Sequence, residues 1–162
     1  MDLFILQRVE VGEPRASSMA RLVIHTHGTP KEKAAKTLLE MYAQRLKTSG
    51  VKLEYHSSKE HADAYARRLL DLGGTVVLLD ESGEQMDSLT FARRVEQWQL
   101  STKSVHLALG PAEGWPAASQ LDALARCSLS PMTFPHELAA VMLAEQVYRA
   151  TEILRGTGYH KA

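Results

Sequence analysis

The side chains with chemical reach gather in the last third of the chain. Glu145 and Arg149 stand four residues apart in a long helical run, which makes them neighbours on one helix face. They fall among apolar residues, so they read as an ion pair of an interface, where such a pair fixes register and orientation. Just beyond, "RGTGYHK" packs Arg155, Tyr159, His160 and Lys161 into seven residues, a polar tail that a dimer could project across its neighbour's loops. Ahead of the helix lies "LSPMTFPHE", Leu129 to Glu137. A connection between strand and helix is ordinarily polar and rich in Gly, Asn or Asp. This one crowds Met132, Phe134 and His136 around two prolines, which raises the question of what it is wrapped around.

Several chemistries are ruled out by what is missing. No Gly-Lys-Ser/Thr follows a strand and no G-x-G-x-x-G fingerprint occurs, which removes phosphoryl transfer and dinucleotide binding. A Ser nucleophile elbow is also missing. Cys127 is the only cysteine, and without a Cys/His cluster at ligand spacing the chain reads as metal-free and cytosolic. Lys plus Arg equal Asp plus Glu at 19 each, so no global field favours nucleic acid, and a local basic patch stays open. No run approaches the ~20 apolar residues of a membrane span. The opening "MDLFIL" lacks the cationic start and the small-residue cleavage site of a signal peptide.

The elements that must position these groups alternate from Arg21 onward. "RLVIHTHG" is a short strand. The helix "TPKEKAAKTLLEMYAQRLKTSG" is expected to open on a capping box of Thr29 and Glu32, with Pro30 at its first position, and to close at Gly50. "VKLEYH" alternates with period two, and "SSKEHADAYARRLLDLGG" carries Ser57 with Glu60 as a second box and Gly73 as a stop. "TVVLL", Thr75 to Leu79, has no polar alternation, as in a strand buried on both faces. The helix "DSLTFARRVEQWQL", the strand "SVHLALG", the short helix "PAASQLDALAR", the short strand "CSLS" and a helix from about Pro135 to Arg155 complete the series. Five β-α units predict an α/β domain, a mostly parallel sheet with helices on both faces. Residues 1–19 sit outside the rhythm and are expected to form a poorly ordered extension, leaving one domain over 20–162.

In such sheets ligands bind beyond the carboxyl ends of the strands, which points to "DESGEQ", "GPAEGW" and the apolar stretch as the loops that matter. The last helix places Leu138, Val141, Met142, Tyr148 and Ile153 on one face and Leu143, Val147 and Leu154 on the opposite one. One face suits the home sheet; the other predicts a homodimer.

"LLDESG", "LGPAEG", "LSPMTFPHELAAVMLAEQVYRATEILRG" and the terminal "GYHK" resemble the RlmH family, bacterial ribosomal RNA pseudouridine N3-methyltransferases of the SPOUT (α/β-knot) superfamily. The likeness runs from about Arg21 to Lys161 and is close over the second half. It implies a homodimer whose chain ends in a trefoil knot, an exception to the rule against threaded chains. It also implies S-adenosylmethionine bound in the knot loops, and methylation of N3 of a pseudouridine in 23S ribosomal RNA of the assembled ribosome. By position, the cofactor contacts fall on Leu79, Gly110, Leu129, Ser130, Pro131, Met132, Thr133 and Phe134, with the apolar stretch cradling adenine. The imide nitrogen must lose a proton, for which His160, Glu145 and His136 are the candidate bases. Tyr159 is placed to stack on a base, and Arg149, Arg155 and Lys161 to hold phosphates. One departure stands out: the family's second Gly after the fourth strand is Pro111 here, which lacks an N–H and fixes φ. That leaves open a catalytically inactive, dimeric ribosome-associated binding factor of the same fold, and a flavodoxin-like small-ligand binder.

Overall fold

The computed structural model describes residues 21–161; the expected extension over 1–19 lies outside them. Five strands form one sheet in the order β2-β1-β4-β3-β5, with every pairing parallel. They are β1 (Leu22–His27), β2 (Val51–His56), β3 (Thr75–Gln85), β4 (Val105–Ala108) and β5 (Ala125–Ser128). The helices are α1 (Lys33–Leu46), α2 (Ala62–Leu70), α3 (Ser88–Leu100), the one-turn α4 (Ser119–Asp122) and α5 (His136–Arg155).

Period-two alternation along the strands decides which helix covers which face. Leu22, Ile24, Val77, Leu79, Val105 and Leu107 meet Leu39 and Leu46 of α1, Phe91, Val95 and Trp98 of α3, and Leu143 and Val147 of α5 in one buried cluster. The opposite face is thinner, with Tyr65 and Leu69 of α2 packed on Val76, Leu78, Ala108 and Leu121. Helices on both faces of a parallel sheet are therefore present as expected.

Some local expectations fail for physical reasons. The Thr29–Glu32 box does not form: α1 starts at Lys33 with no side-chain cap from Glu32. Instead the Glu137 carboxylate, reaching across from α5, accepts the backbone N–H groups of Lys31 and Glu32, each at 3.0 Å. The Ser57–Glu60 box is also absent; His61 caps α2 by accepting from Asp63 N, and Glu60 pairs with Arg68 instead. "DESGEQ" is not a loop, because β3 runs on to Gln85 and pairs with β5 across a register shift between Leu79 and Glu84. Gly83 permits this: a Cβ there would lie 2.6 Å from the Arg126 carbonyl carbon.

The two faces of α5 are also sorted. Ala140, Val141, Leu143, Ala144, Val147 and Ala150 are buried against the home core, so Val141 changes sides relative to the sequence pattern. Leu138 and Met142 point outward at 51% and 41% exposure, and Tyr148 and Ile153 only lean on the core. Full burial of Val147 is worth about 1.5–3 kcal/mol, so that residue serves the fold of one chain, while Met142 is left on the outward side of the helix.

Candidate functional site

The middle of β3, where its buried half ends, and the segments following β4 and β5 open onto one cleft of about 570 Å³, the side expected for a ligand in an open parallel sheet. Leu79 closes the buried half of β3, Leu109 and Gly110 follow β4, and the collar after β5 supplies Leu129, Ser130, Met132, Thr133 and Phe134. Of the sequence-derived cofactor positions only Pro131 is absent from the lining. The collar is held mainly by its own short bonds: Ser128 Oγ donates to Ser130 O at 3.0 Å, and Met132 N donates to Ser130 Oγ at 3.0 Å. Met132 is 71% exposed, an apolar side chain at the cleft rim with nothing of its own chain over most of its surface.

Acidic groups stand at the β3 side of the cleft. Burial raises the Asp80 carboxyl, but hydrogen bonds from Ser82 and from Arg126, at 2.6 Å, outweigh it and hold the group below its usual value. Glu81, beside Asp80, is tied to the collar, accepting from Thr133 Oγ1 at 3.2 Å. Pro111 sits without strain in a turn closed by Gly114 N to Pro111 O at 2.9 Å, and among the described residues no non-glycine residue has positive φ. Gly110 itself does not need positive φ. Its lack of a side chain matters by contact, since a Cβ there would lie 3.0 Å from Trp115 Nε1. Trp115, quoted in the sequence but given no role, lines the cleft and donates to Leu79 O at 2.9 Å. His136 opens α5 and borders both this cleft and a small neighbouring groove beside Thr26 and Gly28.

Glu145, Arg149, Tyr159 and His160 are brought together, but elsewhere. Arg149 Nη2 meets Glu145 Oε1 at 2.6 Å, and Tyr159 OH donates to the same oxygen at 3.2 Å. The guanidinium lies 5.1 Å from the centre of the Tyr159 ring. Arg149 Nη1 is 3.1 Å from His160 Nδ1. An arginine can only donate, so that imidazole nitrogen is the acceptor and His160 carries its proton on Nε2. Burial, then hydrogen bonding with Tyr42, pushes the Tyr159 phenol well above its ordinary value, so it stays protonated. The hydrogen bond to Glu145 likewise raises Arg149. At 1.5 Å per residue Glu145 is about 14 Å and Arg149 about 20 Å along the helix from His136. Neither lines the cleft of its own chain. Arg155 is farther still, hydrogen-bonded to Thr48 and Ser49 and paired with Glu152, and Lys161 is exposed.

One constellation was not read from the sequence at all. On the thinly covered sheet face His25 Nδ1 is 2.9 Å from His56 Nε2 and His25 Nε2 is 2.9 Å from His106 Nδ1. Burial, reinforced by its two neighbours, lowers His25 to about 3, and burial lowers His56 and His106 as well. The trio is a neutral hydrogen-bonded chain. Among the described residues no three His, Cys, Asp or Glu side chains are placed to share a metal ion, and no helix is long and apolar enough to cross a membrane. The signal was the repeated histidine at inward strand positions, which apolar patterning passes over.

A parallel sheet whose carboxyl-end cleft is closed by an apolar collar after the last strand defines a class. The family profile described as "Predicted SPOUT methyltransferase" matches residues 20–160, and the chain belongs to that family of methyl-donor-dependent enzymes. Within it the chain is similar to proteins named Ribosomal RNA large subunit methyltransferase H. The one from Synechococcus sp. (strain CC9902) is 40% identical over 124 residues, covering 76% of this chain and 85% of that protein. The one from Maricaulis maris (strain MCS10) is 34% identical over 155 residues, covering 87% of this chain and 99% of that protein.

Proposed function

We propose that the chain methylates N3 of a pseudouridine in 23S ribosomal RNA of the assembled ribosome, as a cytoplasmic homodimer with S-adenosylmethionine as methyl donor. The observation that carries this reading is the collar Leu129–Phe134 meeting the ends of β3 and β4 around one cleft of about 570 Å³, within the usual range for a ligand of this size. The names of the similar proteins support the substrate.

The donor set suits an adenosyl sulfonium. Leu129, Met132 and Phe134 offer apolar walls to the purine, Leu79 and Gly110 bring backbone close to it, and Glu81 is a carboxylate within reach of hydroxyl or ammonium groups. On this reading the collar is the threaded segment of a trefoil knot, and Pro131 lowers the cost of ordering it. When bound, the cofactor supplies a methyl carbon already activated by its sulfonium. The protein's task is to align that carbon with the nucleophilic nitrogen and to take the N3 proton.

His136 is the candidate base at the cleft itself. Glu145 and His160 reach a cleft only from a second copy, since one chain holds them well down α5. A two-fold dimer through the outward side of α5, with Leu138 and Met142 at its centre, would bring that cluster over the partner's cleft. There Tyr159 would stack on the target base while Arg149 and Lys161 hold phosphates; Arg155 would contact backbone farther from the reacting base. The test is transfer of tritiated methyl from S-adenosylmethionine to ribosomes from a strain lacking the modification, with the labelled nucleotide mapped. One labelled pseudouridine in the large-subunit RNA is expected. Cofactor binding without transfer would favour the inactive binding factor.

A further inference from the structure

Behind the cleft, Tyr65 of α2 and Trp115 form a parallel aromatic pair, 5.8 Å between centres and 9° between planes. Each ring makes one hydrogen bond, and both bonds end on backbone carbonyls at the cleft, one inside β3 and one just past β4. Tyr65 OH donates to Leu109 O at 2.8 Å, and Trp115 Nε1 donates to Leu79 O at 2.9 Å. Tyr65 is fully buried and does not line the cleft, whereas Trp115 does. From the sheet side, Tyr65 is wedged by His56 edge-on at 5.1 Å and by His27 at 4.9 Å. The pair is thus anchored to the sheet at one end and exposed to the ligand space at the other.

Resting on the reading of this cleft as an adenosyl-cofactor site, we infer that Tyr65 and Trp115 are positioning residues for the cofactor. They fix the Leu79 and Leu109 carbonyls relative to one another and present the indole as a wall of the ligand space. Backbone at a ligand site that is left without such anchors needs ordering on each binding event, and that ordering weakens affinity. Here both carbonyls are already fixed by a rigid pair. An indole backed by a second ring is also a flat apolar surface of the kind on which purines stack. Gly110 belongs to the same device, because a Cβ there would press on the indole at 3.0 Å from Trp115 Nε1.

The chain has two tryptophans, and Trp98 is buried in the main core, so the Trp98→Phe variant leaves Trp115 as the only indole reporter. In that background S-adenosylhomocysteine should change Trp115 emission along a saturable curve matching the calorimetric one. Trp115→Leu should weaken S-adenosylhomocysteine about tenfold or more, and Tyr65→Phe about fivefold by freeing the Leu109 carbonyl. Trp115→Phe, which keeps a ring, should recover part of the loss. Circular dichroism at the titration temperature separates affinity from unfolding. Unchanged affinity in folded Trp115→Leu and Tyr65→Phe overturns the inference, as does binding that leaves Trp115 emission unmoved. Failure of the unaltered protein to bind S-adenosylhomocysteine at all would instead strike the cofactor reading on which this rests.

Discussion

At the start of α5 the collar is apolar, stitched by a few bonds among serine hydroxyls and backbone; at its end Glu145, Arg149, Tyr159 and His160 share one dense set of charged and polar contacts. In the first region Gly110, Trp115 and the apolar collar line one cleft, with its charge confined to Asp80 and Glu81 on the β3 side. The second works by directed donors and acceptors, and its groups are preset, with the Glu145 oxygen already shared by two donors. On the proposed reading, the contrast assigns binding of the methyl donor to one region and handling of the nucleophile to the other, to be rejoined by a second copy.

Breaking the assembly should have the largest effect. Met142→Asp puts a charge on the outward side of α5, where Met142 is 41% exposed, so the fold tolerates it. Sizing should show a monomer, calorimetry should show cofactor affinity within about twofold of normal, and transfer to RNA should be lost. An active monomer would place both regions of the comparison in one chain. Next comes the tail itself. Arg149→Met removes the cation that Glu145, Tyr159 and His160 all face, and turnover should fall by about 10²–10³ if the cluster acts on developing charge. Cofactor affinity should again hold; a parallel loss would show that the tail also builds the cleft.

Much of the collar was legible because composition betrays it: Met132, Phe134 and two prolines are odd in a linker, and the strand–helix rhythm put them at a carboxyl end. The apolar strands were legible for the same reason, since Val76 to Leu79 must be covered on both faces. What escaped depended on partners far along the chain. Nothing near Thr29 announces that Glu137 will supply the cap. The polar half of β3 looks like a loop until β5 pairs with it. Val147 and Met142 share one helical run, and only the packing of α1 and α3 decides which faces home. Trp115 stood in plain view in "GPAEGW", but its role needs Tyr65, fifty residues earlier, at its back.

The cleft side of the comparison can be struck without touching the tail. Gly110→Val forces a branched side chain toward Trp115 Nε1, where even a Cβ would lie at 3.0 Å. Overpacking of this kind costs about 1–3 kcal/mol, and if the strain is relieved by swinging the indole out, the loss appears as roughly tenfold to hundredfold weaker cofactor. The emission of Trp115 should shift even in the free protein. Normal affinity with normal emission would mean that the cleft does not depend on this contact.

Acid probes the sheet that joins the two regions, and there the expected effect is smallest near neutrality. His25 is 1% exposed and its folded value is about 3, against 6.5 unfolded. The unfolded chain therefore binds the extra proton first, so this contribution to stability is complete above about pH 6.5 and declines as pH falls toward 3. The slope is about 1.4 kcal/mol per pH unit for each histidine kept neutral, so moving from pH 6.5 to 5.5 should cost about 1 kcal/mol. Groups facing the trio pull in both directions: Lys52 opposes a charge on His25, Glu54 favours one on His56 and His106, and Glu60 and Arg68 act oppositely on His56. His25, the most deeply buried of the three, is the one whose value lies far below the window, and burial lowers His56 and His106 in the same direction. Denaturant unfolding of His25→Val should show a flatter profile between pH 6.5 and 5 than the unaltered chain. Glu137, held low by the Lys31 and Glu32 amides, titrates below that window and should leave it untouched. A slope unchanged by His25→Val would overturn this assignment and move the acid sensitivity to the other two imidazoles of the chain, His56 and His106.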